Sequence, residues 1–180
     1  MGTQLKASQS GGAHFFVDNR LLADICSGRA ATWDEHVKTV MEDIIQLLEA
    51  WLGRGGLLTC EDTDVVTWVP RELRGEADAA AALGLSRMGG EHDILWGRVL
   101  PADLRGCALM LYSDAGKKVV NEEITPIGTA GVMVEVLLNG KWQRLLPAKA
   151  RSCAGDGHVL WLEACALRLG IQILCGLMQC

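Results

Sequence analysis

The sequence predicts an α+β domain in which a single, mainly antiparallel sheet carries helices on its faces. Two segments repeat apolar residues at helical spacing, roughly residues 33–52 and 158–176. Asn139-Gly140 lies between two apolar runs, and this pair of residues favours a two-residue hairpin turn. The chain has 180 residues, of which 49% are hydrophobic, so one domain can bury a substantial core.

The long helix expected at residues 33–52 has the clearest boundaries. Thr32 and Glu35 have the spacing of a capping box, in which a hydroxyl and a carboxylate satisfy the first free amides. Three glycines, at positions 53, 55 and 56, are expected to end this helix. We expect residues 1–30 to form a flexible leader and a short helix over His14–Cys26, and residues 31–180 to form the α+β domain.

Several shorter elements are expected between the two long helices. Apolar runs bounded by turn residues predict strands, and an alanine-rich run predicts a helix because alanine loses little on becoming helical. The expected segments are a hairpin of Leu57–Glu61 and Val65–Val69, a helix over Glu72–Leu85, and strands at Val119–Ile124, Val132–Leu138 and Lys141–Leu146. Two further segments, Ile94–Leu100 and Cys107–Tyr112, are expected to be strand-like or partly helical.

Composition and charge argue against several classes of protein. The formal net charge is -5, and Lys and Arg do not cluster, so we expect no direct binding to nucleic acid. Arg168 interrupts the best apolar run, so no membrane span is expected. The N-terminus lacks the apolar region of a signal peptide, which predicts a cytoplasmic, reducing location.

Seven cysteines are scattered along the chain without a Cys-x-x-Cys motif. Most are expected to be small buried hydrophobic residues. The alternative is a haem or iron–sulfur site assembled from distant cysteines, so the cofactor stays open at this point. The cysteines are Cys26, Cys60, Cys107, Cys153, Cys165, Cys175 and Cys180.

Five segments carry a family resemblance. Val40–Trp51 leads into Gly56–Asp62 as a long helix followed by a strand, and Gly97–Leu100 is similar to the start of a helix on the ligand side. Val132–Lys141 forms a late strand and turn, and Leu162–Ile173 forms a terminal helix. In this order they resemble a GAF domain, a sensory module of the PAS and profilin-like class, over about residues 33–176.

The resemblance implies a small-molecule or cofactor pocket between the sheet and the segments that cross it, roughly residues 68–131. Such pockets are mainly apolar and hold a few polar groups. Each candidate also has an ordinary structural interpretation, as a core aromatic residue or a solvated charge. The candidate ligand-binding residues are Trp68, His92, Trp96, Arg98, Tyr112, Asn121 and Glu123.

The resemblance also implies that the first and last long helices lie on one sheet face and build a helical interface between two subunits. The last helix is apolar almost all round, which predicts burial on more than one side. The alternative is that the segment His14–Cys26 covers it. The candidate residues of the homodimer interface are Trp33, Val37, Met41, Ile44, Leu160, Leu167, Ile171 and Leu174.

The expected function is regulatory and not enzymatic: a GAF-like sensory domain that binds a small molecule and signals through its helical dimer. The alternative is a scaffold or chaperone module that binds a protein partner, roadblock-like or similar to a type III secretion chaperone. A thiol enzyme is the third hypothesis, because Cys153, Asp156 and His158 are close in sequence. Close neighbours on a glycine loop rarely reach the contact geometry that nucleophilic catalysis needs.

Overall fold

A computed structural model describes residues 12–58, 64–70, 72, 77–79, 81, 91–92, 107–118, 127–154 and 158–177. The helices are α1 (Arg20–Cys26), α2 (Glu35–Gly53) and α3 (Val159–Leu177). The strands are β1 (Gly12–Val17), β2 (Val66–Trp68), β3 (Glu91–His92), β4 (Ala108–Lys118), β5 (Ile127–Leu138) and β6 (Lys141–Ala154).

The strands that the structure describes form one six-stranded sheet in the order β2-β1-β4-β5-β6-β3. Strand β1 is parallel to both of its neighbours, β2 and β4, and the remaining pairs are antiparallel. The α+β class is therefore confirmed, but the expectation of a mainly antiparallel sheet is wrong, because the sheet is mixed. Parallel neighbours need long crossover connections, and helices α1 and α2 supply the one between β1 and β2.

The origin of the mixed sheet is β1, which lies where a leader and a short helix were expected. Within His14–Cys26 the helix begins only at Arg20, and the residues up to Val17 form a strand with one neighbour on each side. Five of the six residues of β1 are buried, so the strand has no alternation of polar and apolar residues. Runs of this kind are typical of strands covered on both faces.

Helix α2 confirms the long helix expected near residues 33–52, with a different cap. Asp34 is the N-cap, and its side chain accepts a hydrogen bond from the amide of Val37 at 3.0 Å. The hydroxyl of Thr32 accepts from the amide of Asp34 instead, at 3.2 Å. The aspartate replaces the expected capping box because its backbone is extended and its carboxylate reaches the first turn.

Helix α3 confirms the expected terminal helix and packs against both α2 and the central strands β4 and β5. Gly170 permits a close approach, since a Cβ there would lie 2.6 Å from a methyl group of Leu111. By length and hydropathy alone Val159–Gly176 is apolar enough to cross a membrane, with a mean hydropathy of 1.5. However, 61% of this window is buried within the fold, so contacts inside the chain account for much of its apolar surface.

The β5–β6 hairpin is confirmed at the predicted turn. Asn139 and Gly140 both have positive φ, 53° and 74°, which is the conformation that a type I′ turn requires. Of the segment Cys107–Tyr112, expected to be strand-like or partly helical, residues 108–112 belong to strand β4. The segments expected at Ile94–Leu100 and Val119–Ile124 lie outside the described residues.

The hairpin expected around residues 57–69 is arranged differently. Leu58 forms a parallel bridge with Ala13, and Val66 pairs in parallel with Phe15. In the described part of this region, both segments therefore run beside β1. Residues 77–79 and 81, from the expected helix Glu72–Leu85, are helical.

That helical segment packs on the sheet at β5. The hydroxyl of Thr129 donates to the carbonyl of Ala81 at 2.7 Å, and a Cβ at Gly131 would lie 2.5 Å from the amide nitrogen of Ala81. Ala77 is fully buried in an apolar cluster with Phe16, Val69, Met110, Tyr112 and Met133. The sheet therefore has a second apolar cluster besides the larger one that α2 and α3 share.

Candidate functional site

Three carboxylates from distant parts of the chain meet at one end of the sheet. Asp18 directly follows β1, Asp114 lies within β4, and Glu163 lies in the second turn of α3. One oxygen from each side chain can be chosen so that all three lie within 4.8 Å of one another. We call these residues the acidic cluster; in the described part of the chain it is the one group of three potential metal-ligating side chains.

The register of two parallel strands brings the aspartates together. Phe16 of β1 is paired with Tyr112 of β4, and continuing this register places Asp18 level with Asp114. From β1 the chain leads to β2 on one side, and from β4 it leads to β5 on the other. In open sheets, ligands commonly bind beyond the carboxyl ends of parallel strands at such a reversal of strand order.

The third carboxylate comes from α3, a helix that is otherwise apolar at this point. Glu163 is the one acidic residue of α3, and its neighbours Leu162 and Ala164 are both buried. An apolar helix packed against β4 and β5 therefore carries a carboxylate onto the edge of the core.

The acidic cluster is electrostatically costly. The exposed fraction is 1% for Asp114 and 3% for Glu163, whereas Asp18 is half-buried. Carboxylates this close repel one another, and burial further penalises the charges of Asp114 and Glu163. A cation can offset this cost, and hard divalent cations prefer oxygen ligands of this kind.

A cleft of about 450 Å³ gives access to the acidic cluster. Its walls come from the β1–α1 junction, from β4 and from the start of α3, so all three elements that carry the carboxylates also line it. The lining residues are Asp18, Asn19, Ala115, Gly116, Val159, Leu162 and Glu163. Asn19 also holds the wall in place, because its side chain accepts a hydrogen bond from the amide of Leu22 and caps α1.

A further carboxylate is carried by an element beside the cluster. In the sheet, Asp114 is paired with Gly131, and the helical segment of residues 77–79 and 81 packs against that glycine. Asp78 belongs to this segment and is half-buried. Asp78 therefore belongs to the helical segment that packs against Gly131, the residue paired with Asp114 in the sheet.

His158 lies near the cleft, one residue before Val159. Its Nε2 is 2.5 Å from Oδ2 of Asp34, so the two side chains join the start of α3 to the start of α2. The hydrogen bond with His158, together with the amide of Val37, lowers the pKa of Asp34. The hypothesis of a thiol site with Cys153 and Asp156 is untested, since the side chain of Cys153 and all of Asp156 lie outside the described residues.

Of the candidate ligand-binding residues, Trp68 lies at the acidic cluster. Its indole Nε1 donates to the carbonyl oxygen of Asp18 at 2.9 Å, and 43% of the residue is exposed. Tyr112 is buried and stacks on Phe16, with ring centroids 5.0 Å apart, so it packs within the second apolar cluster. Burial raises the pKa of Tyr112 to about 12.

The other candidate ligand-binding residues are not brought to the cluster by any described contact. The backbone of His92 pairs with Ala150 in the β3–β6 ladder, and its side chain is outside the described part. Trp96, Arg98, Asn121 and Glu123 lie outside the described residues.

Most of the candidate interface residues pack within the same chain. Val37, Ile44, Leu167, Ile171 and Leu174 are buried. Met41 and Leu160 are partly buried against the same core. Trp33, in contrast, is 89% exposed. A homodimer through these helices stays a prediction, and it would have to use their outer surfaces, where Ile45 and Leu52 are exposed.

No protein-family model and no curated protein matches this chain. The function is therefore argued from the geometry of the acidic cluster and its cleft. Sequence reasoning missed all three carboxylates, because they are far apart in the chain and belong to no local motif. Two features pointed toward them: a lone acid in an apolar helix, and acids within or directly after apolar runs.

Proposed function

We propose that this protein is a divalent-cation-dependent hydrolase of phosphodiester bonds, with the acidic cluster as its catalytic centre. The observation that carries the proposal is the convergence of Asp18, Asp114 and Glu163 within 4.8 Å beside an open cleft. Two of these side chains are almost completely buried, which is an expensive arrangement for carboxylates without a function.

The donor set favours magnesium or manganese. Zinc sites in proteins usually include imidazole or thiolate ligands, whereas the three groups here are all carboxylates. Magnesium is typically held by a few carboxylates and keeps its other positions for water and for the phosphate oxygens of a substrate. A carboxylate-only site therefore supports chemistry on phosphates.

The chain's own residues would hold and orient the cation, and the cleft would admit the phosphodiester. A cation held there stabilises negative charge on the phosphate and lowers the pKa of bound water. We include Asp78 in the proposal as a supporting carboxylate, because its helical segment packs against Gly131, which is paired with Asp114.

The acidic net charge of -5 led to the expectation of no nucleic-acid binding. That expectation concerns binding through a patch of Lys and Arg. A bound divalent cation holds a phosphate by another route, which a count of Lys and Arg does not register. The two predictions differ directly in whether an oligonucleotide is bound and cleaved.

The proposal is tested by incubating the purified full chain with a fluorescently labelled oligonucleotide in Mg²⁺, Mn²⁺ or EDTA. We expect cleavage with the cations and none in EDTA. Asp114→Asn and Glu163→Gln should each lower the rate at least about 100-fold, since the site loses a ligand, and Asp78→Asn should lower it less.

Glu135→Gln is the matched control for these variants. Glu135 is a half-buried carboxylate on β5, outside the acidic cluster, whose pKa is raised by burial. We expect full activity from this variant. Cleavage that persists in EDTA, or that survives both Asp114→Asn and Glu163→Gln, would show that the acidic cluster is not the catalytic centre.

A GAF-like sensory module is the second candidate function. What supports it is the packing of the first long helix, α2, against the last helix, α3, which also packs on the sheet, as that resemblance implies. This candidate predicts that a small molecule raises the melting temperature in EDTA, and equally so in Asp114→Asn. The scaffold alternative predicts no such ligand and a protein partner instead.

A further inference from the structure

Trp68 presents an aromatic ring at the edge of the proposed catalytic centre. It is the last residue of β2 and is paired with Val17, the residue before Asp18. Its indole N–H donates to the carbonyl oxygen of Asp18 at 2.9 Å, yet 43% of the residue is exposed. The indole N–H is therefore hydrogen-bonded to a residue of the acidic cluster, while much of the surface of Trp68 stays exposed to solvent.

The hydrogen bond to Asp18 orients the ring before anything binds. A tryptophan whose N–H is already satisfied loses little side-chain freedom when a planar partner stacks on it. Because β1 and β2 are parallel, Trp68 and Asp18 lie at the same end of the sheet, and Asp18 also lines the cleft. The hydrogen bond to Asp18 therefore places the ring beside a residue of the proposed cation site.

We infer that Trp68 is a stacking surface for a nucleobase of single-stranded nucleic acid whose phosphodiester lies at the acidic cluster. This inference rests on the proposed function and names the subsite that would hold the substrate's base. Base stacking on aromatic residues is a recurring mode of single-strand binding, and it tolerates any sequence because every base has a flat face.

The charge of the chain favours stacking as the main source of affinity. Proteins that bind through phosphate contacts lose affinity steeply as salt rises, because each contact releases counterions. This chain has a net charge of -5 and no cluster of basic residues. Binding through a bridging cation and a stacked base should therefore depend only weakly on monovalent salt.

The test measures binding of a labelled poly-thymidine oligonucleotide to the full chain in Ca²⁺ by fluorescence anisotropy, alongside an abasic strand of equal length. Trp68→Ala should raise the dissociation constant about 5- to 150-fold, the range that stacking of a base contributes. Trp68→Phe should keep most of the affinity because the flat ring remains. The abasic strand should bind the wild type and Trp68→Ala equally.

Trp33→Ala is the matched control, because Trp33 is even more exposed, at 89%, and lies directly before the N-cap of α2, outside β2. Its affinity for the oligonucleotide should equal that of the wild type. The inference is overturned if Trp68→Ala binds the thymidine strand as tightly as the wild type, or if Trp33→Ala weakens binding as much as Trp68→Ala.

Two readouts separate this inference from the proposed function. Terbium luminescence reports whether the acidic cluster binds a cation, independently of any oligonucleotide. If the cation binds but Trp68→Ala changes nothing, only the stacking surface is wrong. If Trp68→Ala weakens binding while Asp114→Asn leaves cleavage intact, the stacking surface stands and the catalytic assignment is wrong.

Discussion

Asp18, directly after β1, lies level with Asp114 of the adjacent parallel strand β4, although a long stretch of sequence separates them. With Glu163 they bring carboxylate oxygens to within 4.8 Å of one another in a largely buried position. The same geometry has two consequences for stability. A cation that binds the cluster should stabilise the fold, and the cluster without a cation should weaken it.

A divalent cation should raise the melting temperature. Binding to the folded state alone at about 100 times the dissociation constant contributes about 2.7 kcal/mol, or roughly 5–10 °C for a domain of this size. Differential scanning fluorimetry with Mn²⁺ measures the shift. Glu163→Gln should abolish it and Glu135→Gln should retain it, and a full shift in Glu163→Gln would rule out the acidic cluster as the binding site.

Removing one charge should stabilise the protein when no cation is present. Glu163 is 3% exposed and close to two other carboxylates, so an uncharged amide of the same shape relieves repulsion. We expect Glu163→Gln to melt at a higher temperature than the wild type in EDTA at pH 8. A lower melting temperature would mean that the charge of Glu163 stabilises the fold on its own.

Gly131 should be intolerant of a side chain. A Cβ at this position would collide with the carbonyl oxygen of Ala77 and with the amide nitrogen of Ala81, 2.5 Å away, and both are backbone atoms. The helical segment would have to move, at a cost of about 3 kcal/mol. Urea denaturation of Gly131→Ala measures this loss.

Gly176→Ala is the control for that substitution. Gly176 lies near the end of α3, and nothing is within 4 Å of a Cβ added there. Alanine favours helix over glycine by roughly 0.5–1 kcal/mol, so this variant should be as stable as the wild type or slightly more stable. Equal losses in the two variants would contradict the packing of the helical segment on β5.

The elements that the sequence predicted well are the ones with local determinants. Asn139-Gly140 defines its turn through the conformations of two residues, and helix α2 has an apolar stripe with a polar cap. Strand β1 has neither, because it is buried on both faces and its parallel partner β4 lies far away in the chain. A run such as Phe15-Phe16-Val17 next to a helical segment does not distinguish strand from helix by periodicity.

The candidate site was harder to predict for the same reason. The acidic cluster depends on the β1–β4 register, which no local pattern specifies, so its carboxylates were not among the candidate residues. Trp68 was identified as a flat wall for a ligand, and the structure places it at Asp18. A tryptophan in a strand can be recognised as a candidate from the sequence, but the residues that it contacts in the fold cannot.

The contact between Asp34 and His158 should give a measurable dependence on pH. The hydrogen bond with His158, followed by that with the Val37 amide, lowers the pKa of Asp34 from its ordinary value of 3.8. A depressed carboxyl pKa contributes stability above the unfolded value, and this contribution is lost as the pH falls through the folded value. The melting temperature of the wild type should therefore exceed that of Asp34→Asn above pH 4 and converge with it at lower pH.

The N-cap role of Asp34 is separated from its charge by a second variant. Asparagine remains a good cap, whereas Asp34→Ala removes the acceptor for the amide of Val37 and should lower the melting temperature by about 2–4 °C at all pH values. Melting curves from pH 2 to pH 7 distinguish the two effects. A difference between wild type and Asp34→Asn that grows as the pH falls would contradict the direction of the shift.

Cys26 should be chemically inert in the folded protein. Burial is the main reason that its pKa rises to about 12, so at pH 8 only about one molecule in ten thousand carries the reactive thiolate. Cys175 is buried as well, its pKa is raised for the same reason, and its Sγ is 3.3 Å from the carbonyl oxygen of Leu47. Neither thiol is suited to nucleophilic catalysis.

Brief treatment with iodoacetamide at pH 8, followed by peptide mass spectrometry, measures this inertness. Cys26 and Cys175 should stay unmodified in the native protein and should react fully in guanidinium chloride, because unfolding restores an ordinary thiol. Cys26→Ala should also leave the cation-dependent rate unchanged, since the acidic cluster contains no thiol. Rapid native modification of Cys26 would contradict its protection by burial, whereas loss of activity on alkylation of Cys153 would favour the thiol-enzyme hypothesis over metal-dependent hydrolysis.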